Sequence, residues 1–323
     1  MRWAKWLAIG GGAIFALLVL IGIGLWIWKP WVPPVVLTEP GTTGRRVAIE
    51  GRPANYFPPP ATGTHPGILI LGGSEGGLGS ATTVMARALQ AEGYAVVHPS
   101  YFRAPGQSKA LVRIPVEGFD AALDWLGHQP GVDASRLAII GGSKGAEAAL
   151  LVASRHPELK AVVAGMPSSV VWPGFSWEMT KVEGSSWMAG GRDIPALAYG
   201  QGSFQEGIIS VYRAGLNNLA AHPETAIQIE RSPALVLLIC GEADSLWPSC
   251  QMARQIAARD SRVQLLAYKD AGHGVFGVPV ASDDPKLAKL GDLGGTPAGN
   301  NAARHDSWPK LLAFLAGALQ NPK

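Results

Sequence analysis

The chain has 323 residues, 47% of them hydrophobic and 16% charged, with a formal net charge of +3. That is enough apolar material for one large core. The charge is small and no basic run interleaves with aromatics, which argues against a nucleic-acid partner. Two cysteines, Cys240 and Cys250, make neither a disulfide scaffold nor a zinc site.

From Trp6 to Trp28 no residue is charged. At about 1.5 Å per residue, a helix of that length matches a hydrocarbon core of about 30 Å. Arg2 and Lys5 precede the run and Lys29 comes after it. Trp3, Trp6, Trp26, Trp28 and Trp31 sit at its ends, where indoles favour a membrane interface. Trp28-Lys29-Pro30-Trp31 offers no small-residue cleavage site. Residues 1–29 therefore read as an uncleaved single-pass membrane anchor. The positive-inside rule places the chain beyond Trp31 outside the cytoplasm, in the periplasm if the source is Gram-negative. Pro30, Pro33, Pro34 and Pro40 make residues 30–45 a stiff, extended linker.

Residues 46–320 alternate apolar strands with helices. The run Gly67 to Leu71 predicts a strand, Thr82 to Glu92 a helix capped by Gly93, and Ala95 to His98 a strand. Pro115 to Leu126 predicts a helix with proline near its first turn. Later come strands Leu137–Ile140, Ala161–Ala164, Leu235–Cys240 and Val263–Tyr268, with helices from Lys144, over Ser249–Arg259 and over Asp306–Leu319. Continuous apolar strands suit a mostly parallel sheet covered on both faces, so the class is α/β, doubly wound. Residues 167–231 are too long for a loop and read as a cap-like insertion over the sheet's C-terminal edge. Its Trp172, Trp177 and Trp187 either wall an apolar substrate pocket or pack the insertion's own core. Gly277 to Asn301 reads as an irregular loop.

The chemistry centres on Gly141-Gly142-Ser143-Lys144-Gly145, a G-x-S-x-G match between a strand and a helix. So sharp a turn admits only small residues two positions either side of the serine, and it lifts the hydroxyl above the sheet at a helix N-terminus. A serine nucleophile needs a base, and the base an orienting acid, in the chain order Ser, acid, His. Asp244, just past the strand Leu235–Cys240, fits the acid, with Glu242 its rival. His273, between Gly272 and Gly274 after the strand Val263–Tyr268, fits the base, and His305 is the only alternative in the right order. Gly72-Gly73-Ser74-Glu75-Gly76-Gly77 comes after an early strand, where a second oxyanion donor belongs; the backbone N–H groups of Ser74 and Lys144 are the candidates. The glycines match neither phosphate-binding fingerprint, and no His/Cys/Asp cluster is apparent, so neither cofactor nor metal is expected. Cys240 and Cys250 flank the Asp244 loop at a spacing that allows a bridge closing it.

These motifs together resemble the catalytic domain shared by acyl-CoA thioesterases and bile acid-CoA:amino acid N-acyltransferases, in a bacterial form. The resemblance rests on Leu69 to Gly77, Ile140 to Glu147, Pro167 to Trp172, Gly241 to Ser249, Gly272-His273, and Gly294-Gly295-Thr296-Pro297 with, further on, Asp306 to Pro309. It runs from about Arg46 to Leu319. It implies an α/β-hydrolase fold, a triad of Ser143, Asp244 and His273, and acyl chemistry on a small-molecule ester or thioester through an acyl-enzyme. Two departures stand out. The segment before the first clear strand is too short for the β-sandwich of eukaryotic members, and serine stands where the N-acyltransferases can use cysteine, which tilts the expectation toward hydrolysis. The competing expectations are an acyltransferase, a peptidase or amidase on the same fold, and a tethered binding protein with an idle triad.

Overall fold

The computed structural model describes the backbone of residues 2–319 and the side chains of residues 14–319. An N-terminal helix α1 (Arg2–Trp28) leads to the hairpin β1 (Arg45–Ile49) and β2 (Arg52–Phe57). After it come β3 (His65–Leu71), α2 (Ser80–Ala91), β4 (Ala95–Pro99), the short β5 (Ile114–Pro115) and α3 (Glu117–Gly127). Next are β6 (Val132–Gly142), α4 (Lys144–Ala153) and β7 (Ala161–Gly165). The insertion adds β8 (Trp187–Ala189), β9 (Arg192–Asp193) and α5 (Ile209–Leu216). The chain closes with β10 (Leu235–Gly241), α6 (Ser249–Ala257), β11 (Gln264–Tyr268), α7 (Lys286–Lys289) and α8 (Pro297–Ala318).

Eight strands form one sheet in the order β1-β2-β4-β3-β6-β7-β10-β11. The β1–β2 and β2–β4 pairs are antiparallel, and every later pair is parallel. The parallel part is as expected. The β1–β2 hairpin is not, because Arg45, Arg46, Arg52 and Pro53 break the apolar pattern of its strands.

Alternate residues of each strand face opposite sides. Leu69, Leu71, Val97 and Ile139 pack into one core with Phe119, Leu123 and Ala149 of the helices on that side. Ile68, Ile70, Val96 and Ile140 pack into another with Met85, Leu89, Leu311 and Leu315. Both faces are covered, which is why these strands carry no polar alternation. All ten residues of α4 are buried. A helix hidden on every side needs small residues, and Ala146, Ala148, Ala149 and Ala153 provide them.

The membrane-spanning helix expected from Trp6–Trp28 is not upheld: among the described residues no helix is long and apolar enough to cross a membrane. Described side chains in α1 begin at Ile14. The flanking signals Arg2, Trp3, Lys5 and Trp6 lie outside the described side chains. The membrane partner inferred from the same run loses its support with it.

Residues 30–45 do not stand off as a free spacer. They run along the domain as a strap: Leu78 donates from its N–H to Val36 O at 2.8 Å, and Thr38 returns a bond to Leu78 O at 3.0 Å. Arg87 donates to Glu39 O at 2.7 Å, Arg103 donates to Pro33 O, and Lys29 pairs with Glu178 at 2.7 Å.

The final helix begins nine residues earlier than expected, at Pro297 rather than Asp306. Thr296 caps it by accepting from Gly299 N, and Pro297 occupies the first turn, where its missing N–H costs nothing. Pro309 lies inside the helix, on a register that the helix retains despite the lost bond.

Candidate active site

The turn between β6 and α4 is as tight as its glycines imply. Ser143 has φ 55° and ψ −122°, a region that non-glycine residues adopt only under strain. A Cβ at Gly141 would lie 2.0 Å from Gly145 O, and one at Gly145 would lie 2.3 Å from Gly72 O. The backbone on both sides of Ser143 thus packs against backbone. Ser143 N donates to Gly165 O at 2.9 Å, which fixes the elbow to β7.

Asp244 and His273 come from the loops after β10 and β11. His273 Nδ1 lies 2.9 Å from Asp244 Oδ2. Asp244 is buried and fully engaged: Oδ2 also accepts from Ser249 Oγ at 2.7 Å, and Oδ1 accepts from Leu246 N at 3.0 Å and Trp247 N at 3.3 Å. These donors hold the carboxylate in one orientation. The rival Glu242 instead pairs with Arg254 at the surface. The alternative base, His305, is exposed on α8. His98 is buried and pushed down to about 3 by desolvation and by Arg46, so it stays neutral.

A strand-like segment clamps the two loops together. Gly294 bridges to Asp244 and Gly295 to Ala271, and Asn300 accepts from Gly272 N at 2.9 Å. His273 N donates to Leu293 O at 3.1 Å. This explains the Gly-Gly-Thr-Pro motif in packing terms.

Ser143, His273 and Ser74 line one cavity of about 420 Å³. In this arrangement Ser143 Oγ is not hydrogen-bonded to His273, and such contacts often tighten only when substrate binds. The Gly73 N–H is taken by Glu75 Oε1 at 3.2 Å. Among the described residues, the N–H groups of Ser74 and Lys144 meet no acceptor. Tyr101 fixes the glycine loop from behind by donating to Gly72 O at 2.7 Å or Gly73 O at 3.0 Å. Burial pushes the Glu75 carboxyl above its ordinary range, against the pull of two backbone N–H groups, His273 and Arg103.

The three tryptophans part company. Trp177 lines the cavity and donates to Ser74 O at 2.6 Å. Trp172 lies in a separate core that packs Leu197 and Leu216 of the insertion against Trp247 ahead of α6. Trp187 is fully buried and donates to Glu147 Oε1 at 2.8 Å.

That last contact belongs to a network that sequence reasoning missed. Lys144 Nζ donates to Glu147 Oε2 at 2.8 Å and to Ser186 Oγ at 2.9 Å, and Trp172 N donates to Glu147 Oε1 at 3.0 Å. Both charges are buried. Burial pulls the Lys144 ammonium down from its ordinary value while Glu147 opposes the shift. The i,i+3 spacing of Lys144 and Glu147 was the only signal available. Their partners in the insertion lie far along the chain.

The sheet order and the strained serine turn define an α/β-hydrolase fold. Solved structures agree at the level of fold. A putative dienelactone hydrolase from Klebsiella pneumoniae aligns with a TM-score of 0.53 at 19% identity, over 84% of this chain and 98% of its own. A puromycin-hydrolyzing peptidase from Mycobacterium tuberculosis aligns with a TM-score of 0.57 at 17% identity, over 86% of this chain and 40% of its own. Within that fold the chain belongs to the family described as BAAT / Acyl-CoA thioester hydrolase C terminal, which matches residues 114–321. Among its relatives, acyl-coenzyme A thioesterase 5 of Mus musculus is 28% identical over 293 residues, 86% of this chain and 66% of that protein. Acyl-coenzyme A thioesterase 1 of Rattus norvegicus is 28% identical over 285 residues, 84% of this chain and 64% of that protein. The chain therefore spans just under two thirds of the length of these curated relatives.

Proposed function

We propose that the protein is a serine hydrolase that cleaves an acyl thioester or ester through an acyl-enzyme. The observation that carries this reading is the 2.9 Å contact of His273 with a fully hydrogen-bonded Asp244, in the cavity that also holds Ser143 on its strained turn. Family membership supports the acyl substrate class.

In this mechanism Ser143 Oγ attacks the acyl carbon and His273 Nε2 takes its proton. Asp244 holds the imidazole with Nδ1 protonated and stabilises the imidazolium. The Ser74 and Lys144 N–H groups meet the oxyanion; one such donor is worth about 10²–10³ in rate. His273 returns the proton to the leaving thiolate or alkoxide. Water, activated by the same imidazole, then releases the acid.

The test is a panel of acyl-CoAs, p-nitrophenyl esters and aminoacyl amides, run on the wild type and two variants. Turnover of amides alone would replace this reading with a peptidase. Asp244→Asn is expected to reduce kcat by about 10⁴-fold, because the amide favours the wrong imidazole tautomer. Glu242→Gln removes a surface ion pair of small energetic weight and should change kcat little. The reverse ranking would assign the acid to Glu242.

We further propose that the enzyme works in an oxidising compartment. Cys240 and Cys250 form a disulfide with Cα atoms 5.1 Å apart, joining the end of β10 to the first turn of α6. Such bonds persist outside reducing cytosol. Intact-mass analysis of freshly isolated, alkylated protein checks this, and two alkylated thiols would remove the argument.

A further inference from the structure

The cavity that holds Ser143 is walled by apolar side chains such as Ile70, Met85, Met166, Leu246 and Phe276. Three ionisable groups interrupt the wall: His273, Glu75 and Arg304. His273 belongs to the triad and Glu75 ties back the glycine loop. Arg304 has no part in either.

Arg304 projects from α8 beneath the loop that carries His273. Its Nε donates to Gly274 O at 2.7 Å, and Nη1 reaches Val278 O at 3.4 Å. The guanidinium lies against the Gly277 backbone, where an added Cβ would sit 3.3 Å from Cζ. Two of its five N–H groups are thereby used. Among the described residues no carboxylate pairs with it, and burial alone acts on its pKa, pushing it down to about 10. It therefore stays charged at neutral pH. Arg304 is half-buried, and holding a charge partly out of water without a counter-ion is costly. Two carbonyls alone would be held as well by a neutral amide, so the charge calls for another partner, and the cavity is where it has room.

We propose that Arg304 is an oxyanion-recognition residue of this cavity, and that the preferred substrate carries a carboxylate or phosphate that it binds. A guanidinium fork suits either group, since both offer two coplanar oxygens. The anion belongs either to the far end of the acyl chain, as a carboxylate, or to the leaving group, as a phosphate. The proposal rests on the hydrolase reading of Ser143.

Two matched pairs of substrates test it on the full chain: the p-nitrophenyl monoester of glutarate against p-nitrophenyl pentanoate, and pentanoyl-CoA against the pentanoyl thioester of N-acetylcysteamine. In at least one pair the wild type is expected to favour the anionic member by about tenfold in kcat/KM, chiefly through KM. The first pair reports an acyl-chain anion and the second a leaving-group anion. Arg304→Gln should bring that ratio near unity, and Arg304→Lys should retain part of it. A wild-type preference below about twofold in both pairs overturns the proposal. So does an Arg304→Gln effect equal on both members of a pair, which marks a residue that only holds the His273 loop. If Arg304→Gln fails to fold by circular dichroism, Arg304→Lys decides by the same ratio. Calorimetric titration of glutarate and of pyrophosphate into Ser143→Ala, with and without Arg304→Gln, separates the two readings. Arg304-dependent binding in a protein whose wild type cleaves nothing would sink the hydrolase and leave the anion site standing.

Discussion

Ser143→Ala is expected to lower kcat by about 10³-fold or more on every acyl substrate the wild type cleaves, with no loss of thermal stability. The hydroxyl makes no bond that the fold relies on, whereas the backbone at this position does: Ser143 N is held by Gly165 O at 2.9 Å. Alanine keeps that bond and the same strained φ of 55°. The residual rate should come from the oxyanion donors and from binding. Labelling by a fluorophosphonate gives the independent measurement, a mass gain in the wild type and none in the variant. More than about a tenth of wild-type activity in Ser143→Ala would remove it from the mechanism.

Glu147→Gln should be the most damaging substitution for stability. The carboxylate is fully buried and accepts from Lys144 Nζ, Trp172 N and Trp187 Nε1. Removing its charge leaves the Lys144 ammonium buried without a counter-ion. Breaking one side of a buried pair costs about 3–5 kcal/mol, a large part of the stability of a typical domain. The pH dependence gives the loss a signature. Burial lowers the folded-state pKa of Lys144 below the ordinary 10.5, and losing Glu147 removes the opposing pull. A depressed lysine binds its proton more weakly folded than unfolded, so stability rises with pH between the folded pKa and the ordinary one. Denaturant titrations at pH 7 and pH 10 should show Glu147→Gln regaining stability relative to wild type at the higher pH. An equal deficit at both would mean that lost hydrogen bonds, not the stranded charge, set the cost. Activity should fall as well, because the network anchors Lys144, whose backbone N–H is the proposed oxyanion donor.

The elbow was legible because its glycines are dictated by backbone collisions within a few residues, and such local constraints leave a local pattern. The Asp244–His273 pair was legible because a parallel sheet delivers the loops after β10 and β11 to one edge. What stayed hidden depends on distant packing. Trp172, Trp177 and Trp187 look alike in sequence, yet one faces the cavity, one packs the insertion against Trp247, and one serves Glu147. The start of α8 was missed because Pro297, Gly299, Asn300 and Asn301 are loop formers by propensity. There Thr296 supplies the cap, and Asn300 is held by its bonds to Gly294 O and Gly272 N. The apolar run Trp6–Trp28 was read from its length, its hydropathy and its flanking Lys, Arg and Trp residues, which do not distinguish a spanning helix from other uses of an apolar one.

The cavity wall straddles a boundary in the chain. The side that holds Ser143 and His273 lies within residues 114–321, the span matched by the family. Its other side comes from upstream: Pro33 of the strap, Ile70 and Leu71 of β3, Ser74 and Glu75, and Met85 of α2. The proposed nucleophile and base and about half of the wall around them are thus encoded in separate stretches. Substitutions in the upstream stretch are therefore expected to change what the cavity accepts while leaving Ser143, Asp244 and His273 in place.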